Sequence, residues 1–139
     1  MAYATQADLE ERYGALELIQ LTDRADPPAG VASADTVTRA LADAAAEIDS
    51  HLAARYVLPL TSTPERLKTC CCILARRYLY ADRPTEAVDA EAKRERDWLA
   101  ALAAGRVVLG DLSAAAAAPQ GAPRHAGPEP VFSRATIGL

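Results

Sequence analysis

Aromatic side chains are scarce in this chain: one Trp, one Phe and five Tyr among 139 residues. It has one Met, two His and seven Gly, and 15 Lys+Arg are outnumbered by 19 Asp+Glu. Each shortage excludes something. A net charge of −4 argues against free nucleic-acid binding, which needs a basic footprint. No apolar run approaches the ~20 residues of a membrane span. Met1 is not followed by a basic stretch and an apolar core, so a soluble protein made in a cytoplasm is expected. The three cysteines stand in a row as Cys70-Cys71-Cys72. Their odd number does not describe a disulfide framework. Nor do they form the paired C-x-x-C spacing of a zinc site, since adjacent helical residues point about 100° apart. They read as small, helix-compatible apolar residues in a reducing compartment.

What is abundant is alanine. Half the chain is hydrophobic, but 32 of those residues are Ala. Alanine favours helix and buries little area, so the core should be thin and made by close helix packing. The length suits one domain that buries roughly two-thirds of its unfolded surface. The expected fold is all-α: a small bundle of about four main helices over residues 1–110, followed by an extended C-terminal arm, 111–139.

Thr5 and Asp8 form a capping-box variant at the first helix, Leu9 and Tyr13 share its inner face, and Gly14 closes it. A second short helix covers Leu16 to Leu21, and Pro27-Pro28-Ala29-Gly30 must be loop. Asp35 is a fitting N-cap for a long helix whose apolar stripe is Val37, Leu41, Ala44, Ile48, Leu52 and Tyr56. Arg39, Asp43, Glu47 and Ser50 mark its outer face. Pro59 ends it, and 57–60 reads as a largely buried extended crossover. Thr63-Pro64-Glu65 restarts a helix with a cap, a first-turn proline and an acid. Leu67, Cys71, Leu74 and Tyr78, widened by Cys70 and Ile73, make this the most buried helix. Asp82-Arg83-Pro84 breaks it, Thr85-Glu86 starts the last helix, and Gly105 ends that one before a short extended segment, 106–110.

From Asp111 the composition shifts to eight Ala, four Pro and three Gly with almost no periodicity. Such a segment cannot bury enough apolar area to offset its ordering entropy, so an arm disordered when free is expected. Fully extended it would reach on the order of 95 Å. Hydrophobic residues return only at its end. Val131, Phe132, Arg134, Ile137 and Leu139 are therefore the candidate partner contacts, with a degenerate C-terminus as the rival reading.

The chain carries no G-x-S-x-G, Walker A, G-x-G-x-x-G or H-E-x-x-H pattern. His51 and His125 are the only histidines. Glu47 and Arg55, one turn either side of His51, give it no second ligand, and a solvent-facing helical residue is the plainer reading. No catalytic, cofactor-binding or metal-binding residue is nominated, and no enzyme is expected. The mixed run from Glu91 to Asp97 reads as a solvated helix face, or else as a polar subunit interface that sets register. Arg76-Arg77 beside an apolar face need carboxylates, from this chain or from a partner protein.

Several of these segments together resemble the Mu-like phage neck protein family, in order and with the expected spacing over roughly residues 2 to 110. They are Ala4-Thr5-Gln6-Ala7-Asp8-Leu9, Glu17 to Asp23, Ala46 to Leu52, Ala54 to Leu60 and the Gly105-to-Gly110 ending. The string Ile48-Asp49-x-x-Leu52-x-x-Arg55-Tyr56-x-x-Pro59-Leu60 is the most specific part, and Phe132-Ser133-Arg134 also looks like the family's C-terminus. The Cys triplet and the Ala114-to-Ala118 run are departures. The resemblance implies a non-enzymatic virion structural protein, a head–tail connector or adaptor made in the host bacterial cytoplasm. It would assemble as a ring, commonly of twelve copies, beneath the portal, with residues 1–110 as the connector domain. Its implied partners are its own copies, the portal protein and the next neck or tail component (the stopper), with DNA passing through the lumen unbound. It needs no cofactor. The alternative from another class is a small cytoplasmic helical binding or regulatory module that acts as a dimer. An enzyme using Cys71 or His51 ranks far behind.

Overall fold

The computed structural model describes residues 1–110, and over them the chain is helical. Five helices follow in order: α1 (Gln6–Tyr13), α2 (Ala15–Thr22), α3 (Ala34–Leu52), α4 (Glu65–Tyr80) and α5 (Glu86–Ala103). The three long helices form the bundle, with α4 packed most extensively on α3 and then on α5. The short pair α1–α2 lies against α3 and α4. Leu9, Leu18, Ile48, Leu52, Leu67, Leu74, Leu99 and Leu102 are all fully buried, so every helix contributes to one core. Small residues let those helices approach: Ala44, Cys70, Cys71, Ala75 and Ala92 are as buried as the leucines.

The helix ends follow local chemistry. Thr5 and Asp8 form the expected reciprocal capping box. Gly14, at φ +88°, joins α1 to α2 in a backbone conformation that favours glycine. Asp23 organises the following loop by accepting from the N–H groups of Ala29 and Gly30 at 3.2 and 2.8 Å. Thr85 caps α5 through the Val88 N–H. At the far end of α5, Arg106 N–H reaches Ala101 C=O and Gly105 N–H reaches Leu102 C=O. That pair of bonds, with Gly105 at φ +76°, is a Schellman motif.

Several sequence expectations shift. Ser33 rather than Asp35 caps α3, its hydroxyl accepting from Thr36 N–H, because the chain turns helical one residue before Asp35. α3 stops at Leu52, so Tyr56 is not on its stripe. Tyr56 is still buried, delivered by a tight turn in which the Arg55 and Tyr56 N–H groups both bond Leu52 C=O. The 57–60 crossover is not largely buried: Val57 and Pro59 are exposed, Leu58 and Leu60 half-buried. Pro64 takes the cap position of α4 and Thr63 makes no capping bond there. Tyr78 leaves the α4 stripe for the surface, while Cys72, Ala75 and Leu79 join it. Residues 106–110 form turns and irregular chain instead of an extended segment, with Leu109 buried and Val108 exposed. The arm expected over 111–139, and Val131, Phe132, Arg134, Ile137 and Leu139 within it, lie outside the described residues.

Candidate functional site

The polar chemistry of the bundle is concentrated in three clusters, each tied to α4 or α5. In the first, Arg76 donates from Nε and Nη2 to Glu17 Oε1 at 3.0 and 2.7 Å, and Nη1 lies 3.5 Å from Glu91. Its guanidinium stacks 4.4 Å from the Tyr13 ring centroid, and Tyr80 Oη donates to Glu17 at 2.9 Å. Arg77 pairs with Asp89 at 2.5 Å. Both arginines thus find carboxylates within the chain, the first of the two readings their sequence allowed.

The second cluster corrects the reading of the charged run as a solvated face. Glu95 is 8% exposed and receives both arms of Arg66, at 2.6 and 3.1 Å. The same guanidinium lies 4.1 Å over the Trp98 ring. Arg96 turns inward too, donating to Glu47 at 2.6 Å. Only Lys93, Arg94 and Asp97 keep a fully exposed position. The signal was present in the sequence, because Glu95 and Trp98 are three residues apart and share the α5 face that meets α4.

The third cluster surrounds Glu47, placed on the outer face from sequence but half-buried in the fold. It accepts from Arg96 and from Tyr78 Oη at 2.9 Å. Burial works to raise its carboxyl, but the Arg96 and Tyr78 hydrogen bonds prevail and hold it below the ordinary glutamate value. His51 sits one turn on, half-buried instead of solvent-facing, with Nδ1 2.9 Å from Glu47 C=O. That geometry makes Nδ1–H a donor to the backbone and leaves the ring held in place.

The cysteines are free and buried. Burial raises all three thiols, Cys71 to about 12 and Cys72 to about 11, and Cys70, facing Glu95, is raised as well. A thiolate nucleophile is therefore costly at any of them. Among the described residues no three His, Cys, Asp or Glu side chains converge as a metal site, and no helix is long and apolar enough to cross a membrane.

What remains open is on the surface. The N-terminal segment runs along α3, with its amine 3.0 Å from Asp49 Oδ2 and Tyr3 Oη donating to the same carboxylate. Tyr3 is buried, and burial and then Asp49 push its hydroxyl to a higher pKa. Nothing in the sequence marked this segment as packed. Beside it an open groove of about 540 Å3 is lined chiefly by alanines and Leu41. Just past the C-terminal end of α3 the exposed Arg55 lies against Gly105, and Val57 and Val108, two and three residues along from them, are exposed as well. The most specific family-like string and the Gly105-to-Gly110 ending thus meet at one end of the bundle.

Known proteins resemble this chain over nearly its whole length. The family described as Bacteriophage Mu, Gp36 matches residues 3–126. "Gene product J" of Escherichia phage Mu is 41% identical over 141 residues, covering 100% of this chain and 99% of that protein. "Mu-like prophage FluMu protein gp36" of Haemophilus influenzae is 35% identical over 108 residues, covering 78% and 75% respectively. On that breadth of match, the chain belongs to the Bacteriophage Mu Gp36 family of Mu-like phage proteins.

Proposed function

We propose that this phage protein is a non-enzymatic structural component of the virion neck, a head–tail connector that assembles as a ring beneath the portal. The observation that carries the reading is the end-to-end match to the phage Mu protein, together with part-buried ion pairs that tie α2, α3, α4 and α5 to one another. Helices tied together in this way offer outer faces for copies of the same chain, which pack head-to-tail and close on rotation into a ring, in this proposal a dodecamer. The portal protein lies above the ring and the stopper below it, and the arm residues Val131, Phe132, Arg134, Ile137 and Leu139 make contact with a neighbour. A net charge of −4 suits a conduit, since an acidic wall does not trap the phosphates of DNA passing through.

Electron microscopy of the full chain mixed with portal rings from the same source tests this. A closed ring under the portal is expected. A stable dimer that ignores the portal would overturn the reading in favour of a cytoplasmic binding module.

A further inference from the structure

We infer that the groove between the N-terminal segment and α3 is the docking site for the end of the C-terminal arm, residues 131–139, of a second copy of this chain. The inference rests on the ring reading above, and it names the acceptor that reading leaves open. Ala2, Ala4, Leu41, Ala42, Ala45 and Ala46 line the groove, with Asp49 at its end nearest the α3 C-terminus. Ala4 and Ala45 are buried and Leu41 half-buried, so they form a floor, while Ala2, Ala42 and Ala46 stand open at the sides. This alanine-rich trough suits aliphatic and aromatic side chains, and Thr5, Gln6, Thr38 and Asp49 add its polar groups. The arm ends in that chemistry: Val131, Ile137, Leu139 and the only Phe of the chain, Phe132. Arg134, two residues beyond Phe132, carries the charge that complements Asp49. A carboxylate accepts at about four positions, so Asp49 keeps capacity beyond the N-terminal amine and Tyr3.

The length of the arm brings a neighbour's groove within reach as well as the chain's own. Leu109 N–H is held by Tyr56 Oη at 3.2 Å, so the arm starts near the C-terminal end of α3. From Leu52 back to Ala42 along α3 is only about 15 Å. Residues 111–130, which precede the apolar end, span up to about 65 Å. That is several times the path to the chain's own groove, and enough to cross a neighbouring core about 35 Å wide. The ring reading requires contacts between copies, and it is this that selects the neighbour's groove over the chain's own.

The test places a photoreactive benzoylphenylalanine at position 132 of the full chain and irradiates it under conditions where rings are counted by native mass spectrometry. The expected result is a ladder of covalent oligomers whose cross-linked peptides map to residues 1–6 and 38–49. Ala42→Arg, at an exposed position, should reduce the ladder by about tenfold, the worth of one buried aromatic side chain, without changing the melting temperature. Cross-links confined to a single chain, or rings whose cross-links map to another surface or to the portal, would overturn this inference and leave the ring reading intact. A chain that forms no oligomer would overturn both.

Discussion

The guanidinium of Arg55 occupies the space that a side chain on Gly105 would need. Gly105 is also the left-handed residue that closes α5, at φ +76°. Two constraints therefore coincide there, and their sizes differ. Arg55 is exposed and the contacting atoms are the far end of a long side chain, so it can swing aside at little cost. The backbone has no such escape. Gly105→Ala should cost about 1–2 kcal/mol from the left-handed conformation. The same cost should persist in an Arg55→Ala background within ~0.5 kcal/mol. Urea unfolding of the four proteins in the cycle checks it. A penalty that vanishes with Arg55→Ala would show that the contact, not the backbone, dominates.

Arg66 should matter more than its exposure suggests. Its removal leaves Glu95, with a side chain only 11% exposed, without its cation. Arg66→Ala should destabilise the fold by about 2–3 kcal/mol, somewhat below a fully buried pair because Arg66 itself is 42% exposed. Arg77→Ala, whose partner Asp89 is 53% exposed, should cost less than about 1 kcal/mol. Equal melting temperatures for the two variants would refute the ranking.

The three thiols should resist alkylation in the native protein. With Cys72 pushed up to about 11, only about one thiol in a thousand is ionised at pH 8, and Cys71 is less reactive still. Mass spectrometry after iodoacetamide should find the native chain unmodified and the denatured chain carboxamidomethylated at Cys70, Cys71 and Cys72. Rapid single-site labelling of the folded protein would point to a reactive cysteine.

Acid should release part of the stability held at Glu47. Its carboxyl sits below the ordinary value of 4.5 in the fold, so the unfolded chain takes up the proton first. The contribution is complete above that value and declines as pH falls through the lowered one. Glu47→Gln should be less stable than the parent by about 1 kcal/mol at pH 7. The gap should close in acid, as followed by thermal melts. A pH-independent gap would assign the loss to packing.

Removing residues 111–139 should leave the helical core folded, since among the described residues all five helices already share one core. Far-UV circular dichroism should retain its helical signal with a melting temperature close to that of the full chain. On the proposed neck role, incorporation into particles should be lost. Collapse of the truncated core would contradict the first part, and normal neck assembly the second.

Much of the bundle was legible because helix boundaries rest on local chemistry. Thr5 with Asp8, Thr85 and Gly105 act through neighbours three to five residues away, and each holds the place its type predicts. The stripe Val37, Ala44, Ile48 and Leu52 is likewise periodic because one face of α3 meets one core. The resemblance to Mu-like phage proteins rests on order and spacing, which the sequence carries whole. Asp35 was passed over because α3 begins at Ala34 and leaves the cap to Ser33, and Tyr78 left its stripe to donate to Glu47 on α3.

Tertiary structure decided the long-range partners. Whether Glu95 and Arg96 face water depends on where α4 and α3 lie, and so does the half-burial of Glu47. Tyr3 found Asp49 across a separation no local pattern encodes, and the groove beside them exists only because the N-terminal segment runs along α3. Local hydrogen bonding and periodicity act over one or two helical turns, so sequence by itself determined the helices and their caps. Desolvation depends on which surfaces meet, so the burial of charges, the raised pKa of the thiols and the shape of the open surface followed only from the packing of the helices.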